Sequence, residues 1–337
     1  MGNNTAPCTG RSTTPDMWED IISYIEDART IALSGHTFPD GDALGSVLGL
    51  GLSIRLQFPD KRVDFLLADD GKIPRIYRFL PGSAALVPAV RNHETHDLFI
   101  SLDAPTLDRL EDSAAVAKRA RGRVVIDHHP ARMVFGDASV RVTSAAATAV
   151  LVEELINVAG WPLTPDVAMC LFTGIVTDTG RFQYQNANPS AFACASRLVD
   201  AGAQPARVAL EVYQSQRIEY LRLESIVMGR IETRSEGRVA FSFAYAEDLA
   251  TCGVKPAECD GLIDLVRQVS GTELCLFLRE TETGTVRGNL RSKGTTDISG
   301  VAAEFGGGGH AAAAGFTFHG TVEEALAAAL PKLEALL

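Results

Sequence analysis

Between residues 30 and 127 the chain repeats one pattern, a short aliphatic and β-branched run that stops at a polar or acidic cluster. Thr30–Ser34 runs into His36-Thr-Phe-Pro-Asp40-Gly-Asp42, Val63–Leu67 into ADDG, Leu98–Leu102 into Asp103, and Arg123–Ile126 into Asp127-His128-His129. Helical patterns separate the runs, and strands alternating with helices build a parallel sheet wound with helices. Ligands of such sheets collect beyond the carboxyl ends of the strands, so the acidic loops are expected along one edge.

A histidine and two carboxylates within the seven residues from His36 to Asp42 can converge only if the backbone folds back, and Pro39 and Gly41 supply that bend. The plainer reading of this loop is a polar turn with Asp42 as the N-cap of a helix over Ala43–Ile54. Another acid comes from Pro165–Asp178, where Val167, Leu171 and Ile175 recur at four-residue spacing and place Asp178 at the end of a helix. Adjacent aspartates repel, so Asp40, Asp42, Asp103 and Asp178 stay ionised together in a cleft only when cations sit among them. Carboxylate and imidazole donors suit manganese, with magnesium or cobalt as substitutes. The six cysteines (Cys8, Cys170, Cys194, Cys252, Cys259, Cys275) form no CxxC pair, which disfavours structural zinc. Two ions about 3.5–4 Å apart activate a water and clamp a phosphoryl group, so the expected chemistry is phosphoester hydrolysis.

The expected fold class is α/β: an N-terminal wound domain with a mainly parallel sheet flanked by helices, a helical linker, and a smaller C-terminal α+β domain. Residues 1–16 read as a flexible tail without the plan of a signal peptide. A metal-binding domain is assigned to 17–200, the helical linker to 201–230 and the smaller C-terminal domain to 231–337. In the last, strands at Val239–Ala244, Glu273–Arg279 and Thr285–Arg291 interleave with helices near Leu262–Val269 and Ile298–Phe305, and an alanine-rich helix follows from Thr321. Scattered cysteines in a chain this long suggest buried thiols in a reducing cytoplasm. No uncharged apolar run reaches the ~18 residues of a membrane span. The balance of 31 Lys and Arg against 42 Asp and Glu argues against long nucleic acid, whose capture runs on phosphate neutralisation, and leaves short phosphorylated ligands open.

With HTFPDGDALGS, SLDAP, VIDHHP and GIVTDTGRF in this order, the sequence resembles the DHH phosphoesterase superfamily, whose triplet is Asp127-His128-His129 here. The resemblance implies one metal bound by His36, Asp40 and Asp103, and a second bound by Asp42, Asp103, His128 and Asp178, with Asp103 bridging. It makes Asp127 the support of a metal-bound histidine. It makes His129 the residue to hold phosphate or assist the leaving oxygen, against the plainer role of a buried, hydrogen-bonded histidine. Ser144 and Thr148 open the next helix, as substrate contacts or as caps.

Farther on, GNLRSKG followed by VAAEFGGGGHAAAAGF resembles the DHH-associated domain of the first type. A glycine run between an amphipathic helix and an apolar strand, ending in a histidine, would offer backbone N–H groups as an anion cradle. The resemblance carries over Arg291 and His310 as substrate-binding residues and Gly307, Gly308 and Gly309 as the cradle, with Arg287 and Lys293 left open.

The GGGGH segment separates the chain from manganese-dependent pyrophosphatases. Little room remains for the OB-like module of RecJ-type exonucleases, and the chain lacks the transmembrane and sensor segments of membrane-bound cyclic dinucleotide phosphodiesterases. What remains resembles the stand-alone bacterial nanoRNases, bifunctional oligoribonucleases and 3′-phosphoadenosine 5′-phosphate phosphatases. The expectation is a cytoplasmic enzyme with two Mn2+ (Mg2+ or Co2+ as substitutes). It would hydrolyse short oligoribonucleotides and pApA to nucleoside monophosphates, and 3′-phosphoadenosine 5′-phosphate to AMP. Cyclic di-AMP hydrolysis and exopolyphosphatase-like activity stay open. A nucleotide-binding sensor is the non-enzymatic alternative, and the complete ligand set stands against it. Expected partners are short oligoribonucleotides or small phosphorylated nucleotides, with no long nucleic acid and no membrane, and the resemblance leaves room for a homodimer.

Overall fold

Strands that are apolar on both sides must be covered on both faces, and β4 (Leu98–Leu102) is buried at every position. It lies inside a sheet with β1 (Thr30–Ser34), β2 (Arg62–Leu67), β3 (Leu86–Pro88), β5 (Gly122–Asp127) and β6 (Ala138–Arg141). The order is β3-β2-β1-β4-β5-β6, and every neighbouring pair is parallel. The computed structural model describes residues 17–130, 135–281 and 284–337, and the tail assigned to residues 1–16 lies outside the described residues. The sheet belongs to a first unit that ends at Gln214. In its strand order the direction of winding reverses between β1 and β4, and ligand sites of wound sheets open outside the carboxyl ends of the strands at such a reversal.

Seven helices are described in this unit: α1 (Glu19–Asp27), α2 (Gly41–Gln57), α3 (Ser113–Arg119), α4 (Thr148–Ala159), α5 (Pro165–Asp178), α6 (Pro189–Asp200) and α7 (Pro205–Tyr213). α5 starts where its sequence says it should: the Thr164 side chain accepts from the N–H of Val167, and Pro165 takes the first helical position. α2 is buried almost all round from Gly41 to Ile54, as its near-continuous apolar sequence requires. Side chains such as Leu48 and Leu171 are fully covered, each worth about 1.5–3 kcal/mol relative to exposure. α2 and α5 run in opposite directions in close contact. A Cβ built on Gly45 would lie 2.4 Å from the carbonyl oxygen of Cys170, so only glycine lets the two backbones touch. The crossing brings Asp42, at the start of α2, beside the end of α5 that carries Asp178.

The second unit begins at Ser215. It contains α8 (Ile218–Gly229), β7 (Glu232–Arg234), β8 (Val239–Ala244), α9 (Ala246–Cys252), α10 (Ile263–Arg267), β9 (Leu274–Glu280), β10 (Thr285–Ser292), α11 (Ser299–Glu304), β11 (Gly308–His310), β12 (Ala313–His319) and α12 (Val322–Glu334). Its mixed sheet has the order β11-β12-β10-β9-β8-β7, with β8 and β9 parallel and the other pairs antiparallel. α12 is set by a capping box in which Thr321 Oγ1 accepts the N–H of Glu324 and the Glu324 carboxylate accepts the N–H of Thr321. Leu276, Leu290, Phe316 and Leu333 form part of the core of this unit. Of the two helices in the stretch read as a linker, α7 belongs to the first unit and α8 to the second. Among the described residues no helix is long and apolar enough to cross a membrane.

Candidate active site

The ends of β1, β4 and β5 deliver His36, Asp103 and the Asp127-His128-His129 triplet to one edge of the first sheet, and α2 and α5 add Asp42 and Asp178. Asp40 is the cap of α2, its Oδ1 accepting from the N–H groups of Asp42 at 2.9 Å and Ala43 at 3.0 Å. The plainer reading gave that cap to Asp42, two residues too late. Asp42 is instead fully buried and faces the first turn of α4, accepting from Thr148 N–H at 2.6 Å and Ala149 N–H at 2.9 Å. A helix N-terminus is a natural place for a carboxylate.

Among the clusters that result, two have one donor atom per residue within 4.8 Å of the others and use the expected metal ligands: His36, Asp40 and Asp103, and Asp42, His128 and Asp178. Asp103 links them. Its Oδ2 faces His36 Nε2 at 3.5 Å and its Oδ1 faces His128 Nε2 at 3.4 Å. His36 Nε2 lies 3.8 Å from Asp40, and His128 Nε2 lies 3.4 Å from Asp178 and 3.9 Å from Asp42. These separations are long for charge-assisted hydrogen bonds. Asp103 holds this place with φ at +60°, a left-handed conformation that Asp tolerates better than most residues.

The imidazole tautomers show what these groups fit. His36 Nδ1 is 2.7 Å from the carbonyl oxygen of Thr37, and His128 Nδ1 is 3.1 Å from that of Ala145. A carbonyl only accepts, so each Nδ1 donates, and Nε2 is the nitrogen turned toward the carboxylates. The electrostatics agree. Burial, then the charges of Asp103, Asp178 and Asp40, push the Asp42 carboxyl well above its usual range. Burial pushes Asp178 up to about 7. His36 rises to about 10 because Asp103 and Asp40 outweigh its burial. The buried Asp103 is held well below the carboxylate range by His129, His36 and His128. All of these shifts express one demand, for positive charge among these atoms, and a carboxylate-imidazole set with its Nε2 atoms turned inward fits divalent cations.

Asp127 differs from its expected role. Its carboxylate accepts from the backbone N–H of His129 at 2.9 Å and from His129 Nδ1 at 3.0 Å, so it orients His129 and not the ligand-set residue His128. An aspartate closing a strand accepts readily from the N–H two residues on, and the ring of that residue follows. His129 rises to about 11, Asp103 and Asp127 outweighing its burial. Thr148, read as a substrate contact or a cap, is not the cap, which is Ala147. Thr148 is fully buried and its hydroxyl donates to Asp103 Oδ1 at 2.9 Å. Sequence reasoning passed over Asn186, whose amide donates to the carbonyl oxygens of Ala146 and Asp178 at 3.0 Å and ties the end of α5 to the loop before α4.

In the second unit, Arg291 on β10 pairs with Ala313 on β12, which pairs in turn with His310 on β11. Directly paired residues share a face, so Arg291 and His310 project from the same side of the sheet with a small residue between them. One row along, Asn289, Gly315 and Gly308 line up in the same way. The glycine cradle is smaller than its sequence suggested. Gly307 donates its N–H to Ala302 at the end of α11, and Gly308–His310 is an edge strand.

The DHH family, N-terminal domain, matches residues 30–175, and the DHHA1 domain matches residues 239–337. The bifunctional oligoribonuclease and PAP phosphatase NrnA of Thermus thermophilus is 31% identical over 316 residues, covering 92% of both chains. The chain belongs to the DHH family. Its Bacillus subtilis relative of the same name is 28% identical over 90% of this chain and 94% of its own. Among solved structures, an exopolyphosphatase-related protein from Bacteroides fragilis superposes with a TM-score of 0.87 at 27% identity, covering 96% of each chain. As a DHH-family chain with a DHHA1 domain, the protein is a metal-dependent phosphoester hydrolase.

Proposed function

We propose that the enzyme hydrolyses short oligoribonucleotides, pApA among them, to nucleoside monophosphates, and 3′-phosphoadenosine 5′-phosphate to AMP, with two manganese ions as its working metals. The observation that carries this reading is Asp103, one carboxylate whose two oxygens face two separate ligand groups. The name shared by the Thermus and Bacillus relatives supports the substrate class.

In this reading His36, Asp40 and Asp103 hold one ion, and Asp42, Asp103, His128 and Asp178 hold the other. Bound there, divalent cations supply Lewis-acid polarisation of phosphoryl oxygens and acidify the attacking water. The remaining chemistry belongs to side chains. His129, its Nδ1 fixed on Asp127, offers a proton from Nε2 to the leaving oxygen, and Asp127 keeps that ring in one tautomer. Arg291, Gly308, Gly309 and His310 of the second unit are the substrate-binding groups, and Gly307 supports them by letting the edge strand lie close. A reducing cytoplasm suits the chain, since all five cysteines among the described residues are buried thiols.

One panel tests the reading: pApA, longer oligoribonucleotides, 3′-phosphoadenosine 5′-phosphate, cyclic di-AMP, pyrophosphate and polyphosphate, with manganese and with chelator. The highest specificity constant is expected on pApA or 3′-phosphoadenosine 5′-phosphate, with chelator abolishing turnover. A higher value on polyphosphate would replace this assignment with the exopolyphosphatase one.

A further inference from the structure

Phe38 is 76% exposed, the most exposed large apolar side chain among the described residues. Its backbone sits at φ +51°, in the left-handed region that bulky residues avoid. Singly exposed apolar residues need no explanation. One held outward by an unfavourable backbone does, because such a conformation persists only where its surroundings impose it.

The surroundings here are specific. Asp69, just beyond β2, accepts from the N–H of Phe38 at 3.0 Å and from the hydroxyl of Thr37 at 2.9 Å. The carbonyl of Arg109, beyond β4, accepts from the N–H of Thr37 at 2.9 Å. The segments that follow the two flanking strands thus clamp the loop that turns the ring into solvent. Phe38 stands two residues from His36 and two from Asp40, so its Cα is within about 7.6 Å of each of theirs.

We propose that Phe38 is the stacking platform for a nucleobase whose own phosphate is held at the cluster of His36, Asp40 and Asp103. This rests on the reading of the site as a nucleotide phosphoesterase. A base is a flat π surface within one nucleotide of its phosphate, and a phenyl ring stacks on any of the four. Phe38 therefore gives the enzyme affinity for the presence of a base with little preference for its identity.

The test uses the full chain with manganese and two substrates, adenosine 3′,5′-bisphosphate and its abasic ribose analogue. Phe38→Ala is expected to raise KM for the adenosine compound about tenfold, within the range of a lost base–aromatic stack. Its kcat should change little, and the preference for the base-bearing substrate should collapse. Phe38→Trp should restore KM, and its added indole fluorescence should be quenched by adenosine 5′-monophosphate. If the wild type turns over neither compound, the functional reading fails. If it turns over both and Phe38→Ala keeps the base preference, the assignment of Phe38 fails, and the ring belongs to another role such as contact with a second copy.

Discussion

Thr148 donates its hydroxyl to Asp103 at 2.9 Å, so the first residue of α4 holds the carboxylate that closes β4. The same turn of α4 gives its backbone N–H groups to Asp42. One helix start therefore positions the linking carboxylate and its neighbour together. Thr148→Val removes the hydroxyl and keeps the shape. Metal affinity or turnover should fall about 10–100-fold, as when an outer hydrogen bond to a ligand is lost, and Thr148→Ser should recover most of it. Titration of the cation by calorimetry checks this directly, and an unchanged affinity and rate would remove Thr148 from the site.

Asp103→Asn separates fold from chemistry. Asn tolerates the same left-handed backbone, while the charge that two ligand groups share is gone. Turnover should fall roughly 10³-fold. In the wild type, a divalent cation at about one hundred times its Kd should raise stability by about 2.7 kcal/mol, which is about 5–10 °C in Tm for a unit of this size. The variant should show little of that shift, and a full shift in the variant would contradict a central role for Asp103 in holding metal.

The glycine run offers a paired test in the second unit. A Cβ on Gly307 would lie 2.1 Å from the carbonyl oxygen of Gly315, whereas one on Gly308 meets nothing within 4 Å. Gly307→Ala should therefore cost roughly 1–3 kcal/mol of stability through overpacking. Gly308→Ala should leave stability within about 0.5 kcal/mol, and, under the proposed substrate-binding role of this edge strand, it should raise KM for nucleotide substrates. Thermal unfolding and steady-state kinetics on both variants distinguish the two roles.

At the other end of the first sheet, Asp97 Oδ2 accepts from the N–H groups of Arg29 and Thr30 at 3.0 Å and from the Thr30 hydroxyl at 3.1 Å. Burial would raise its carboxyl, but these donors and Arg121 hold it below the usual value. A carboxyl lowered by folding contributes stability that is fully present above its unfolded pKa, about 3.9, and lost as pH falls through the lower folded value. The Tm difference between wild type and Asp97→Asn should be constant above about pH 5 and shrink below about pH 4. A difference as large at pH 3 as at pH 7 would count against this account.

The buried strands and their acidic ends were legible because apolar runs bounded by polar clusters carry their own signal. β3, β6 and β7, each of three or four residues at or beside a sheet edge, are too short to show a pattern. The partner of Asp127 was not legible either. Side chains at adjacent positions of a strand end diverge, so one of His128 and His129 meets the aspartate, and a carbonyl at Ala145, distant in sequence, claims the other. Thr148 sits in a run of alanines that gives no hint of a buried hydroxyl aimed at Asp103.

At Gly45 a single methyl group would press into the carbonyl oxygen of Cys170. The separation of Asp42 from Asp178 is thus governed by a position with no side chain at all, one turn along α2. A descendant of this sequence could keep every acid and every imidazole, gain one carbon at residue 45, and fall catalytically silent.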